Sequence, residues 1–317
     1  MDNTFLFFGD SQEYVLHPLY LKMKEMGYDC VEIDLQKTDD CMGTVRSLQG
    51  QPVVFLTSAH LFKDEPYCRQ VMQVSHPVVS ALEIMELLRP VRSVYYPHDL
   101  NDGMQHYDRY WFSLFDLFLS PLPTNAHARR FCREYAEVGW IKKDRTISPG
   151  HKEGPVVVGH AFSGMTYYWK MGLDKMYDFY APIWEQGAKV KMYDSAYAPM
   201  FNDFLDQKSV ARYDHTCNIY DLIEESSVVV TTGPTSVSVE AALAGRMVLN
   251  VLDGSCPEAE QRSLAAGLPN TRVCSVEEAA SAIRRMKAGK EPVLCGKEIM
   301  KPFDYEKAVQ YIVGKQE

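Results

Sequence analysis

Short apolar runs alternate with amphipathic stretches along almost the whole chain, and this alternation restricts the fold more than any other feature. TFLFFG, residues 4–9, is followed by EYVLHPLYLKMKEMG, whose terminal Gly27 fits a helix stop. CVEIDL, PVVFLTS, RSVYYP and LFLSPL follow as short strands, separated mostly by helical patterns such as HPVVSALEIMELL and MQHYDRYWFSLFD. Such an order builds βαβ units on a parallel sheet, an α/β architecture.

The rhythm stops at KKDRTISPGHKEGP, residues 142–155, which is polar, holds two prolines and two glycines and has no apolar period. It restarts with VVVGHAF, a long helical pattern through MTYYWKMGLDKMYDFYAPIWEQG, and KVKMYD. NIYDLIEES, SVVVTT, VSVEAALAG, MVLNVL, AEQRSLAAG, TRVCSV and EEAASAIRRMKAG continue it. This predicts two doubly wound, Rossmann-like parallel-sheet domains, residues 1–145 and 146–300, facing a cleft. A terminal helix within 301–317 is placed to fold back over the first domain. In open α/β sheets ligands bind beyond the carboxyl ends of the strands, which directs attention to the loops there.

TTGPTSVSVEAALAG, residues 231–245, carries the most chemistry. Gly233 permits close backbone approach. The hydroxyls of Thr235 and Ser236, with the N–H groups and dipole of a helix start, favour an anion such as a diphosphate. Glu240 lies about one helical turn further on, where a carboxylate can accept from a ribose diol. The same residues also suit a plain N-cap with an acidic first turn. A second strand-to-helix loop, VVVGHAFSGMTYYW, offers His160 and Ser163, and ARYDHTCNIYD offers His215. In the first domain FFGDSQEY and YYPHDLNDG follow strands, giving Asp10 and His98 as candidate general bases. His98 is favoured because an ordinary histidine titrates near working pH.

The stretch from Asp221 to Leu252 resembles the donor-binding segment of GT-B glycosyltransferases and of their relatives, the non-hydrolysing nucleotide-sugar 2-epimerases. The pattern is a helix bearing Asp221, the strand Val228–Val230, Gly233 with Thr235 and Ser236, Glu240 on the next helix, then Gly245 before Val248-Leu249. Pro234 inside the turn and Met247 in place of a proline depart from it. The resemblance implies a GT-B-like enzyme that moves a sugar from a nucleotide-diphosphate donor to a hydroxyl acceptor without a metal. It implies donor binding by His160, Ser163, His215, Gly233, Thr235, Ser236 and Glu240, and no cofactor, the nucleotide sugar being a substrate. A nucleotide-sugar 2-epimerase or hydrolase, or a non-catalytic nucleotide-binding protein on the same scaffold, are the alternatives.

Composition narrows the partners. A net charge of -9 argues against an extended nucleic-acid surface but leaves small phosphorylated ligands open, because local dipoles bind those. No segment approaches the roughly 18 uninterrupted apolar residues of a membrane span. The eight cysteines form no C-x-x-C pair, so reduced thiols and a cytoplasmic location are expected. The P-loop lysine motif and G-x-G-x-x-G after the first strand are both missing, which lowers the weight of ATP-driven and nicotinamide chemistry.

Overall fold

The computed structural model describes residues 3–9, 15–35, 37–58, 78–98, 100, 110–122, 129, 131–143, 145–148, 154–162, 172–192, 198–233, 235–254 and 257–314. The chain divides into two compact units: Met1–Arg145 with Lys301–Glu317, and Thr146–Met300.

In the first unit the described elements are β1 (Thr4–Gly9), α1 (His17–Glu25), β2 (Cys30–Asp34), α2 (Cys41–Ser47), β3 (Val53–Thr57), α3 (Ala81–Leu88), β4 (Arg92–Tyr95), a 3-10 turn (Tyr110–Leu114), β5 (Leu117–Ser120) and β6 (Glu134–Glu137). The strands form one sheet in the order β2-β1-β3-β4-β5-β6, with every pairing parallel. Parallel strands covered on both faces must be apolar throughout, and β1, β3 and β5 are buried at every position. Local chemistry sets the helix ends. Pro18 sits in the first turn of α1, where its missing N–H costs nothing. Ser80 and Glu83 form a reciprocal capping box that starts α3.

The chain returns to this unit at Lys301. Trp140 donates its backbone N–H to the Lys301 carbonyl at 2.9 Å, and Asp304 donates to Val138 at 2.7 Å. Gly139 makes this approach possible: its φ is +82°, and a Cβ there would overlap the Pro302 carbonyl. The last helix of the chain, Tyr305–Val313, then buries Ala308, Val309 and Ile312.

The second unit contains β7 (Val158–Phe162), α4 (Leu173–Trp184), β8 (Lys189–Met192), α5 (Ala198–Gln207), α6 (Ile219–Glu225), β9 (Val228–Thr232), α7 (Ser236–Leu243), β10 (Met247–Val251), α8 (Glu258–Ala266), β11 (Thr271–Cys274) and α9 (Val276–Lys287), leaving α10 for Tyr305–Val313 of the first unit. Its sheet runs β11-β10-β9-β7-β8 and is again all parallel. One face carries the main core, where Val158, Phe162, Val228, Val230, Leu249 and Val251 meet Met176, Tyr180 and Ile283. The aromatics of DFYAPIW belong to this packing: Tyr180 and Trp184 are buried and stacked, with ring centroids 5.7 Å apart.

Candidate functional site

Strand order identifies where a ligand fits in the second unit. From β7 the chain moves to one side for β8 and then to the other for β9, so the winding reverses between β7 and β9. At such a switch point the loops leaving adjacent strands diverge and open a crevice beyond their carboxyl ends. The loop after β9 is the one holding Gly233 and Thr235. Gly233 has φ +63°, a left-handed conformation that only glycine adopts without cost. Thr235 is the N-cap of α7, and its Oγ1 accepts from the N–H of Val237 at 3.4 Å. Thr235 and Ser236 are half-buried while Gly233 is covered. Of the first-turn N–H groups of α7, those of Val237 and Ser238 are met by Thr235, through its Oγ1 and its carbonyl, and the helix dipole makes this end attractive to an anion.

Beneath the loop lies a set of buried polar side chains in a region where an all-apolar surface is the norm. Asn250 of β10 stands opposite Thr231 of β9 in the sheet register. Its Nδ2 lies 2.9 Å from the Gly233 carbonyl oxygen, 2.9 Å from Thr231 Oγ1 and 3.0 Å from Ser238 Oγ. Ser238 Oγ donates to Thr231 Oγ1 at 2.8 Å. Gln261 of α8 donates from Nε2 to Asn250 Oδ1, and to the Val251 carbonyl at 2.8 Å. These four side chains are at most 2% exposed, so each needs the partners it has.

Glu240 sits on the second turn of α7 and is buried, 2% exposed. His215 is partly exposed. Its Nδ1 accepts from Asn202 Nδ2 at 3.1 Å, and its carbonyl accepts from the buried Lys191 ammonium at 3.0 Å. Lys191 also donates to the Met192 carbonyl at 3.1 Å. The buried cation at the carboxyl end of β8 leaves no mark in the sequence, where KVKMYD reads as an ordinary strand. Asp253, just past β10, is equally inconspicuous in the sequence; it is buried and accepts from the Tyr180 hydroxyl at 3.1 Å.

His160 is not in a loop. It lies inside β7 on the same face as Val158 and Phe162, fully buried, and its Nδ1 accepts from the Trp184 indole N–H at 2.9 Å. With Nδ1 accepting, the proton sits on Nε2, and among the described residues no hydrogen-bond partner meets that nitrogen. Burial holds the ring's pKa far below its usual value, at about 3. A neutral ring enclosed by Phe162, Tyr180 and Trp184 packs the core, and the expectation that it contacts a donor is corrected to that.

In the first unit the winding reverses between β1 and β3, which end at Gly9 and Thr57. Thr57 Oγ1 donates to the Phe8 carbonyl at 3.1 Å and ties the two strand ends together. His98, half-buried, follows β4, one strand away from that point. Asp10 and Ser163 lie outside the described residues. Among the described residues no group of three or more His, Cys, Asp or Glu is arranged to hold a metal ion, and no helix is long and apolar enough to cross a membrane.

Solved structures share this architecture. A UDP-GlcNAc 2-epimerase of Methanocaldococcus jannaschii, in complex with UDP-GlcNAc and UDP, superposes with a TM-score of 0.58 at 10% identity, covering 98% of this chain and 99% of its own. A protein assigned as a UDP-N-acetylglucosamine 2-epimerase from Listeria monocytogenes gives 0.57 at 9% identity, covering 100% and 98%. The wall teichoic acid polymerase TagF gives 0.50 at 11% identity, covering 90% and 79%. The chain has the fold of these two 2-epimerase structures and shares it with TagF. No sequence-family model matches the chain, and no curated protein does.

Proposed function

We propose that the protein is an enzyme that binds a nucleoside-diphosphate sugar at the start of α7 and transfers the sugar to a hydroxyl acceptor. The supporting observation is the position of the Gly233–Ser236 turn at the switch point of the second sheet, with the α7 N-terminus behind it. The N–H groups of the helix start and the hydroxyls of Thr235 and Ser236 hold the diphosphate. As the bond from the anomeric carbon to the diphosphate breaks, negative charge grows on the leaving oxygen, and the same fixed dipoles stabilise it. That role needs no metal. Glu240 accepts from the ribose, His215 lies toward the base, and His98, or Asp10 in its place, takes the acceptor proton.

A second reading is favoured by the superpositions, in which the two 2-epimerase structures give TM-scores of 0.58 and 0.57 against 0.50 for TagF. An epimerase or a hydrolase uses the same donor site without a second sugar acceptor. Incubation with a panel of nucleotide sugars separates the readings. A rise in melting temperature with one nucleotide sugar supports the donor site. Release of free nucleotide only when an acceptor is added supports transfer, release without acceptor supports hydrolysis, and conversion of the nucleotide sugar into its 2-epimer with no net release supports epimerisation. No thermal shift with any of them would contradict the proposal.

A further inference from the structure

The polar floor under the Gly233 turn is a directional device as well as a set of satisfied groups. The two ends of an asparagine amide have nearly the same shape, so its partners decide which way it faces. Gln261 Nε2 is held as a donor by the Val251 carbonyl, 2.8 Å away, and so it selects the oxygen end of Asn250. Nδ2 is then turned toward the Gly233 carbonyl, which can only accept. That carbonyl belongs to a glycine with φ +63°, at the point where the backbone leaves β9 for the helix start.

We infer that Asn250 and Gln261 are positioning residues for the anion-binding turn. Gln261 orients the Asn250 amide, and Asn250 fixes the Gly233 peptide plane, so the turn is ordered before a ligand arrives. A site ordered in advance loses less freedom on binding and presents its dipoles without rearrangement. An aspartate at position 250 offers an acceptor to a carbonyl, and a leucine offers nothing, so only the amide serves both ends of the chain of contacts. The inference rests on the reading of this turn as a diphosphate site.

The test combines hydrogen exchange with ligand binding on the full chain. Wild type, Gln261→Met, Asn250→Leu and Ile283→Ala are compared. Ile283 is a fully buried core residue outside this network, so its truncation supplies matched destabilisation. Exchange in the peptide covering residues 231–240 should accelerate at least tenfold in Gln261→Met and Asn250→Leu, with the rest of the unit within twofold. In Ile283→Ala any acceleration should spread over the unit. Pyrophosphate affinity should fall at least tenfold in the first two variants and stay within twofold in Ile283→Ala. If Asn250→Leu does not fold, Gln261→Met, which leaves the Asn250 side chain in place, decides. Unchanged exchange over 231–240 in a folded Gln261→Met overturns the inference. If wild type binds neither pyrophosphate nor UDP, the diphosphate reading falls, and the exchange data alone still decide the positioning role.

Discussion

Trp184 donates its indole N–H to Nδ1 of His160 across 2.9 Å inside the core of the second unit. The arrangement requires a neutral imidazole, and burial holds the folded pKa at about 3 against an ordinary 6.5. The unfolded chain binds a proton below about pH 6.5 and the folded chain does not, so the unfolded state holds more protons between those values. Stability is therefore complete above about pH 6.5 and is lost as the pH falls toward 3. Between pH 7 and 5 this one group should remove about 2 kcal/mol. Urea unfolding of His160→Gln, which keeps a hydrogen-bonding group without titrating, should show a pH slope flatter by that amount. Parallel slopes in the two proteins would contradict the assignment.

Gly245 allows a second test of local packing. Its φ is +80°, a Cβ there would overlap the Gly296 carbonyl, and Gly296 donates its N–H to the Gly245 carbonyl at 2.9 Å. Gly245→Ala combines a left-handed backbone with a backbone clash that no side chain can relieve. It should cost at least about 2 kcal/mol in denaturant unfolding. A loss below about 0.5 kcal/mol, the scale of an ordinary surface change, would show that the 296 segment is not held there.

Much of the fold is legible in the sequence because parallel strands buried on both faces must be continuous apolar runs. SVVVTT and MVLNVL announce β9 and β10 this way. The elements that escape notice do so for physical reasons. EYAE forms β6, which among the described strands pairs with β5 alone and keeps just Ala136 fully covered, so its pattern is polar. APMFNDFLDQ forms α5, whose inward positions Ala198, Phe201, Asn202 and Leu205 keep helical spacing, but the buried Asn202 breaks the apolar signal. Gly159 and His160 look like turn residues. Gly159 is small because Leu222 and Ser226 press on it, and His160 is carried inward by the alternation of β7.

The Gly233 turn and its Thr235 cap are readable because both are local rules. The floor of Asn250, Ser238, Thr231 and Gln261 is not, since only the tertiary packing of β9, β10, α7 and α8 brings those side chains together. One signal was present: an asparagine in the middle of MVLNVL is disfavoured in a strand and needs a buried partner to stay there.

Glu240 separates a ligand contact from a role in the fold. It is buried in this structure, so both are chemically reasonable for its carboxylate. If it reads the ribose, Glu240→Gln should lower affinity for nucleoside diphosphates while affinity for inorganic pyrophosphate stays the same. Equal losses for the two ligands, measured by calorimetry, would mean that it acts through the fold.

The proposed function makes His98 the base for the acceptor, with Asp10 as the alternative. His98→Ala should lower turnover by about 10²–10⁴, the usual contribution of a general acid–base group, and leave donor affinity nearly unchanged. Asp10→Asn is the matching variant. Loss of turnover in Asp10→Asn alone moves the role to the carboxylate, and full activity in both removes it from these loops.

The central claim is that the turn from Gly233 to Ser236 holds a diphosphate, and calorimetry on that turn tests it most directly. Thr235→Ala combined with Ser236→Ala removes two hydroxyls at the helix start while leaving Gly233 and the Asn250 floor in place. Binding of nucleoside diphosphate and of pyrophosphate should each weaken by about 1–3 kcal/mol, the scale of hydrogen bonds to a charged group. Unfolding stability should fall by about 1 kcal/mol, the value of a lost N-cap. A double variant that binds both ligands as tightly as wild type would place the anion elsewhere and contradict the account.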